Sequence, residues 1–163
     1  MISETLDGAV FVSPSPGFGH ADAVLALAGL LRAAAPPWAR VLAAPFPVRL
    51  GRQTELRPDL LVARYVDLVR DELAAPPLLA VEVRSPGSDL LDRSLKRGVY
   101  ARAGVAGYWL VDPVTPALTV LELDADGDYR PVADVVGAES FSAARPFPVE
   151  VSPLALVAGL RPC

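Results

Sequence analysis

A chain of 163 residues with 52% hydrophobic and 21% charged residues has enough apolar surface to bury a sizeable core, and one domain spanning residues 1–163 is expected. The formal net charge of −4 excludes a strongly basic nucleic-acid-binding domain, and the composition is globular rather than disordered or repetitive. The 17 prolines, about twice the usual fraction, sit at element borders and do not gather into a linker.

In chain order, Gly8 to Ser13 reads as a short edge strand, followed by a Pro- and Gly-rich loop to Gly19. His20-Ala21-Asp22 opens a helix that runs to about Ala35, where Pro36-Pro37 stops it. Val24, Leu25, Leu27, Leu30 and Leu31 leave this helix apolar on most sides, so it is expected to be buried in the domain or against a partner. Val41 to Leu50 reads as the first strand of a sheet, at an edge or irregular because of Pro45 and Pro47. Leu60 to Ala63 and Leu78 to Val83 read as buried strands, short and rich in Leu and Val. The connection from Arg64 to Pro77 returns the chain and makes the two antiparallel neighbours.

Ser85-Pro86-Gly87-Ser88 then turns into a second helix, with Ser88 as N-cap and Asp89 in the first turn. Asp89, Asp92, Lys96 and Tyr100 share one face that looks back toward the end of the second strand. Leu91, Leu95 and Val99 form the expected buried stripe, and Gly104 ends the helix. Gly107 to Asp112 is the next strand. Its Tyr108 and Trp109 point to opposite faces, which predicts one ring in the core and leaves the other for the surface or an interface. Leu118 to Leu123 and Tyr129 to Asp134 make a hairpin around Asp124 to Asp128, an acidic loop without EF-hand spacing that reads as a solvated turn. Ser152-Pro153 starts a last short helix.

Two acids stand out against this frame. Asp59, at the start of one buried strand, lies opposite Glu82, at the end of the other, and an ionised carboxylate in such surroundings needs a cation or a set of donors. Either Glu82 makes a structural ion pair with Arg84 or Arg57, or the two acids share a divalent ion, for which hard oxygen ligands suit magnesium or manganese. Lys96 is the only lysine among 15 basic residues. An ammonium can approach a phosphate as a compact charge and exchange a proton, which a guanidinium cannot. The other reading of Lys96 is a surface residue paired with Asp92 one turn earlier. His20, the only histidine, reads on general grounds as a helix-start cap or loop contact.

Pro58-Asp59, Glu82-Val83-Arg84-Ser85-Pro86, the spaced Asp92, Lys96 and Tyr100, then Gly104-Val105 and Gly107-Tyr108-Trp109-Leu110-Val111-Asp112-Pro113, follow one another in the order of a known pattern. The chain resembles the Uma-two family of restriction endonucleases, within the PD-(D/E)xK nuclease superfamily, over nearly its whole length. The resemblance implies a restriction-endonuclease-like α/β fold, a mixed sheet flanked by helices with an appended hairpin, and magnesium- or manganese-dependent hydrolysis of DNA. It implies that Asp59, Glu82 and the Val83 carbonyl hold the metal and that Lys96 is the catalytic lysine. It makes Tyr100 and His20 secondary candidates, with His20 near the phosphate. The superfamily pattern has a lysine two residues after the glutamate, where this chain has Arg84, so Arg84 is a further candidate for the cation at the phosphate. The alternative is a catalytically silent nucleic-acid- or protein-binding module on the same fold.

The charge distribution softens the acidic balance, since residues 49–102 carry 10 basic and 8 acidic side chains. A single cysteine, Cys163, allows no intramolecular disulfide, and Glu4 and Asp7 stand where a signal peptide would be basic. The longest apolar stretch, Ala23 to Leu31, is far short of the roughly 20 residues that span a bilayer. A cytoplasmic protein without a membrane partner is therefore expected. The apolar first helix and the Tyr108-Trp109 pair lead to a homodimer as the expected assembly.

Overall fold

Strands whose side chains are apolar on both faces can be stable only when both faces are covered, and this requirement sets the architecture. The computed structural model describes residues 1–85 and 91–160, with the backbone alone at 91–93 and at 160. Leu60–Arg64 and Leu79–Val83 are the central pair, and every residue of theirs but Arg64 is buried. In chain order the strands are β1 (Ile2–Leu6), β2 (Ala9–Ser13), β3 (Ala39–Ala43), β4 (Val48–Arg49), β5 (Glu55–Leu56), β6 (Leu60–Arg64), β7 (Leu68–Val69), β8 (Glu72–Leu73), β9 (Leu79–Val83), β10 (Gly107–Asp112), β11 (Ala117–Leu123), β12 (Tyr129–Val136), β13 (Phe141–Ala143) and β14 (Val149–Val151). The helices are α1 (Phe18–Ala34), α2 (Arg97–Arg102, entered through a π-helical stretch Leu91–Lys96) and α3 (Pro153–Leu156).

The main sheet has six strands in the order β12-β11-β10-β9-β6-β3, and only β9 and β10 run parallel. The expected antiparallel pairing holds, with Leu60 opposite Val81 and Val62 opposite Leu79. On one face α1 packs through Ala23, Leu27 and Leu31 against Leu60, Val62, Val81 and Trp109. On the other, α2 and a second sheet of order β2-β1-β5-β4 enclose Leu6, Leu56, Ala80, Tyr100, Tyr108 and Tyr129. The α/β expectation is met, and the β11–β12 hairpin continues the main sheet as its outer strands. No helix among the described residues is long and apolar enough to cross a membrane.

Several expectations need correction. Val41 to Leu50 is two strands in different sheets, because the chain turns through Ala44 to Pro47 between β3 and β4. Helix α1 begins at Phe18, two residues early, with Gly17 as its N-cap. Tyr108 and Trp109 do alternate across the sheet, yet both rings are buried, since each face carries its own core. Leu95 is 49% exposed, whereas Lys96 is 4% exposed. The inward Lys96 is as expected, whereas Leu95 leaves the predicted buried stripe to which Val99 belongs, in a stretch wound as a π-helix with a wider turn than a regular helix. Pro86, Gly87, the Ser88 cap, Asp89 and Cys163 lie outside the described residues, as do the side chains of Leu91 and Asp92.

The second sheet begins with a hairpin that hydropathy does not advertise. Asp7 (φ 49°) and Gly8 (φ 87°) form a two-residue turn between β1 and β2, with Leu6 opposite Ala9. Positive φ at both central residues matches the right-handed twist of the strands, and Asp-Gly tolerates it at little cost.

Candidate active site

Because β6 and β9 pair antiparallel, the residue just before β6 meets the last residues of β9. Asp59 therefore arrives beside Glu82 and Val83, as the register predicts. Its Oδ2 accepts the Val83 N–H at 2.7 Å and lies 3.1 Å from His20 Nε2. Asp59 and His20 are nearly buried, at 13% and 11% side-chain exposure. Toward an ionised carboxylate, which only accepts hydrogen bonds, Nε2 is the donor in this contact. His20 Nδ1 is buried without a hydrogen-bond partner, and Asp59 Oδ1 makes no hydrogen bond to another described residue. The first turn of α1 thus holds the aspartate, a role beyond capping.

Glu82 projects from the face of β9 covered by α2 and the second sheet. Lys96 Nζ lies 3.1 Å from its Oε1, and the Tyr100 hydroxyl donates to the same oxygen at 3.0 Å. Burial, and then the Glu82 charge, push the Tyr100 pKa well above the ordinary tyrosine value, so the phenol stays a neutral donor. Spacing of four along the helix brings Lys96 and Tyr100 to one carboxylate, as expected. The reading of Lys96 as an exposed surface residue is overturned by its burial.

The sequence reading missed Glu4. Its Oε2 is 2.8 Å from Lys96 Nζ, and its Oε1 accepts the Arg57 N–H at 2.7 Å. Glu4, Lys96 and Glu82 are all buried, with side-chain exposures of 4 to 5%. The available signal was the Asp7-Gly8 hairpin: it makes Ile2 to Leu6 a strand, and alternation then puts Glu4 on the same inward face as Leu6. Arg84 stands apart from this cleft, since its guanidinium pairs with Asp112 at the end of β10.

The cleft is lined by His20, Arg57, Asp59, Glu82, Val83 and Lys96, with Glu4 behind the lysine. Among the described residues, Glu4 and Glu82 meet the Lys96 ammonium there, and the Arg57 guanidinium is engaged by Glu55 at 2.7 Å. Among the described residues no three of His, Cys, Asp and Glu form a ready metal cluster. Two carboxylates and a strand-end carbonyl nevertheless fit a hard divalent cation, which takes the rest of its shell from water or phosphate.

A family profile described as "Putative restriction endonuclease", Uma2, matches residues 2–157. Among solved structures, "a putative nuclease belonging to DUF820" from Anabaena variabilis superposes with a TM-score of 0.75 at 20% identity, covering 98% of this chain and 91% of that one. The type IIG restriction endonuclease BpuSI gives a TM-score of 0.47 at 16% identity, with 93% of this chain matched to 18% of that enzyme. No curated protein matches the chain.

Proposed function

Since the chain belongs to the Uma2 family, we propose that its cleft hydrolyses DNA phosphodiester bonds with a magnesium or manganese ion held by Asp59, Glu82 and the Val83 carbonyl. The observation that carries the proposal is the burial of the only lysine between Glu4 and Glu82, in the cleft that Asp59 also lines. A buried ammonium on an arginine-rich chain points to a task needing a compact charge.

When bound, the ion polarises a phosphoryl oxygen and lowers the pKa of an attacking water. Lys96 orients that water and stabilises the negative charge that grows on the phosphoryl oxygens. Glu4 positions the lysine. Tyr100 donates to Glu82 and fixes its rotamer, and His20 with the Val83 N–H does the same for Asp59. The Arg84 pairing with Asp112 favours Lys96 over Arg84 as the cation at the phosphate. The proposal extends to a cytoplasmic homodimer, supported by the apolar outer face of α1.

The test is incubation with supercoiled plasmid and either metal, beside calorimetric titration of the metal-free protein. The parent is expected to nick or linearise the plasmid and to bind one divalent ion, and Asp59→Ala and Glu82→Ala to do neither. Metal binding in both variants at the parental affinity would mean the site is misassigned. A parent that neither binds metal nor cuts would support the second reading, a silent binding module, which the salt-bridged Glu82 favours.

A further inference from the structure

At the far end of the main sheet from Asp59 lies a cavity of about 250 Å³, lined among others by Trp38, Arg64, Gly107, Trp109, Glu122 and Arg145. The strands dictate its position. Arg64 ends β6, Gly107 starts β10 opposite Leu79, and Glu122 lies opposite Gly107 on β11. Arg64 is on the same face as Leu60 and Val62, and Gly107 on the same face as Trp109, so the cavity opens on the α1 side of the sheet. At about 3.3 Å per residue, β6 separates it from the candidate active site by roughly 16 Å.

Its chemistry is that of a binding site. Trp38 is 48% exposed, and Trp109, which also lines the cavity, is buried. The side chains of Arg64, Arg145 and Glu122 make no hydrogen bond or ion pair with any described residue. Two unengaged guanidinium groups suit an anion with planar oxygens, an indole suits a flat ring, and a carboxylate suits a ring edge with N–H donors. A nucleotide carries all three features in one unit, and exposed indoles are the usual stacking platform for unpaired bases.

We propose that this cavity binds one nucleotide, its base against Trp38 and Trp109, its phosphate at Arg64 and Arg145, and its amino edge at Glu122. The choice of a nucleotide over another ring-bearing anion rests on the DNA-cleaving reading above. The unit could come from a free nucleotide or from a single-stranded end of DNA held at the distant cleft.

The test uses the chain's only two tryptophans, both of which line this cavity. Their fluorescence in the intact protein, with divalent metal chelated, is titrated with dGMP, with a 5′-phosphorylated single-stranded oligonucleotide and with inorganic phosphate. Saturable quenching by dGMP identifies the free nucleotide, and quenching by the oligonucleotide alone identifies the DNA end. Arg64→Ala and Arg145→Ala, both at exposed positions, are each expected to weaken binding at least about tenfold, the loss of one charge-assisted hydrogen bond. Quenching by neither nucleotide probe, equal quenching by phosphate alone, or parental affinity in both variants would overturn the assignment. Because no cleavage is required, a failed plasmid assay with intact quenching would remove the nuclease reading and leave the pocket, and the reverse pattern would remove the pocket alone.

Discussion

Lys96 concentrates the energetics of the site. An exposed pair on a helix is worth only about 0.3 to 0.5 kcal/mol, but Lys96 is enclosed by two buried carboxylates, and removing one member of such a group typically costs about 3 to 5 kcal/mol. Lys96→Ala is thus expected to lower the melting temperature markedly, and magnesium to raise it more in the variant than in the parent, because the ion offsets the charge that the ammonium no longer meets. Scanning calorimetry with and without the metal measures both effects, and equal shifts would deny that metal and lysine share Glu82. Lys96→Arg keeps the charge but not the compactness. Its plasmid cleavage, measured well below its own melting temperature, should fall on the order of a hundredfold or more, as when one transition-state contact is lost. Parental cleavage by Lys96→Arg would remove the lysine from the chemistry.

At the scale of elements, the hairpin between β11 and β12 is closed by Asp124. Its Oδ1 accepts the N–H groups of Asp126 and Asp128, and its Oδ2 lies 2.5 Å from Arg130 Nε. The Asp128 backbone, and after it the Arg130 side chain, hold the Asp124 pKa below the ordinary aspartate value. A carboxyl more acidic in the folded than in the unfolded state stabilises the fold above its unfolded pKa of about 3.9, and this contribution is lost as the pH falls through the folded pKa. Asp124→Asn is expected to melt below the parent at neutral pH, and the gap should close on acidification below about pH 4. A gap independent of pH would show that the turn relies on shape and not on this charge. The π-helical stretch before α2 ends at Lys96, which reaches Glu82 together with Tyr100 of α2, and it leaves Leu95 outside.

For the whole molecule, the argument for a dimer now rests on α1 alone, since Tyr108 and Trp109 are spent inside the two cores. Phe18 and Leu25, seven residues apart on its outer side, remain 82% and 70% exposed. Apolar area of this kind, on a helix whose first turn alone reaches the cleft, suits a second copy of the chain. Light scattering should give twice the monomer mass at micromolar concentration, and Leu25→Asp should return the monomer mass with the fold intact. A monomer mass for the parent would end the dimer proposal.

Local signals were enough for the strand pair, the end of α1 before Pro36 and four residues of the candidate site. Prolines and glycines punctuate the elements, buried runs of Leu and Val mark β6 and β9, and antiparallel pairing then forces Asp59 against Glu82. The spacing of Lys96 and Tyr100 likewise follows from helix geometry, and both reach Glu82. Tertiary structure alone decided the rest. Glu4 meets Lys96 because β1 pairs with β5 and the second sheet closes over the main one, a long-range packing event that no window of neighbouring residues encodes. Both Tyr108 and Trp109 are buried because each face of the main sheet has its own cover, and a two-residue period can say which rings are opposed but not how much lies above them.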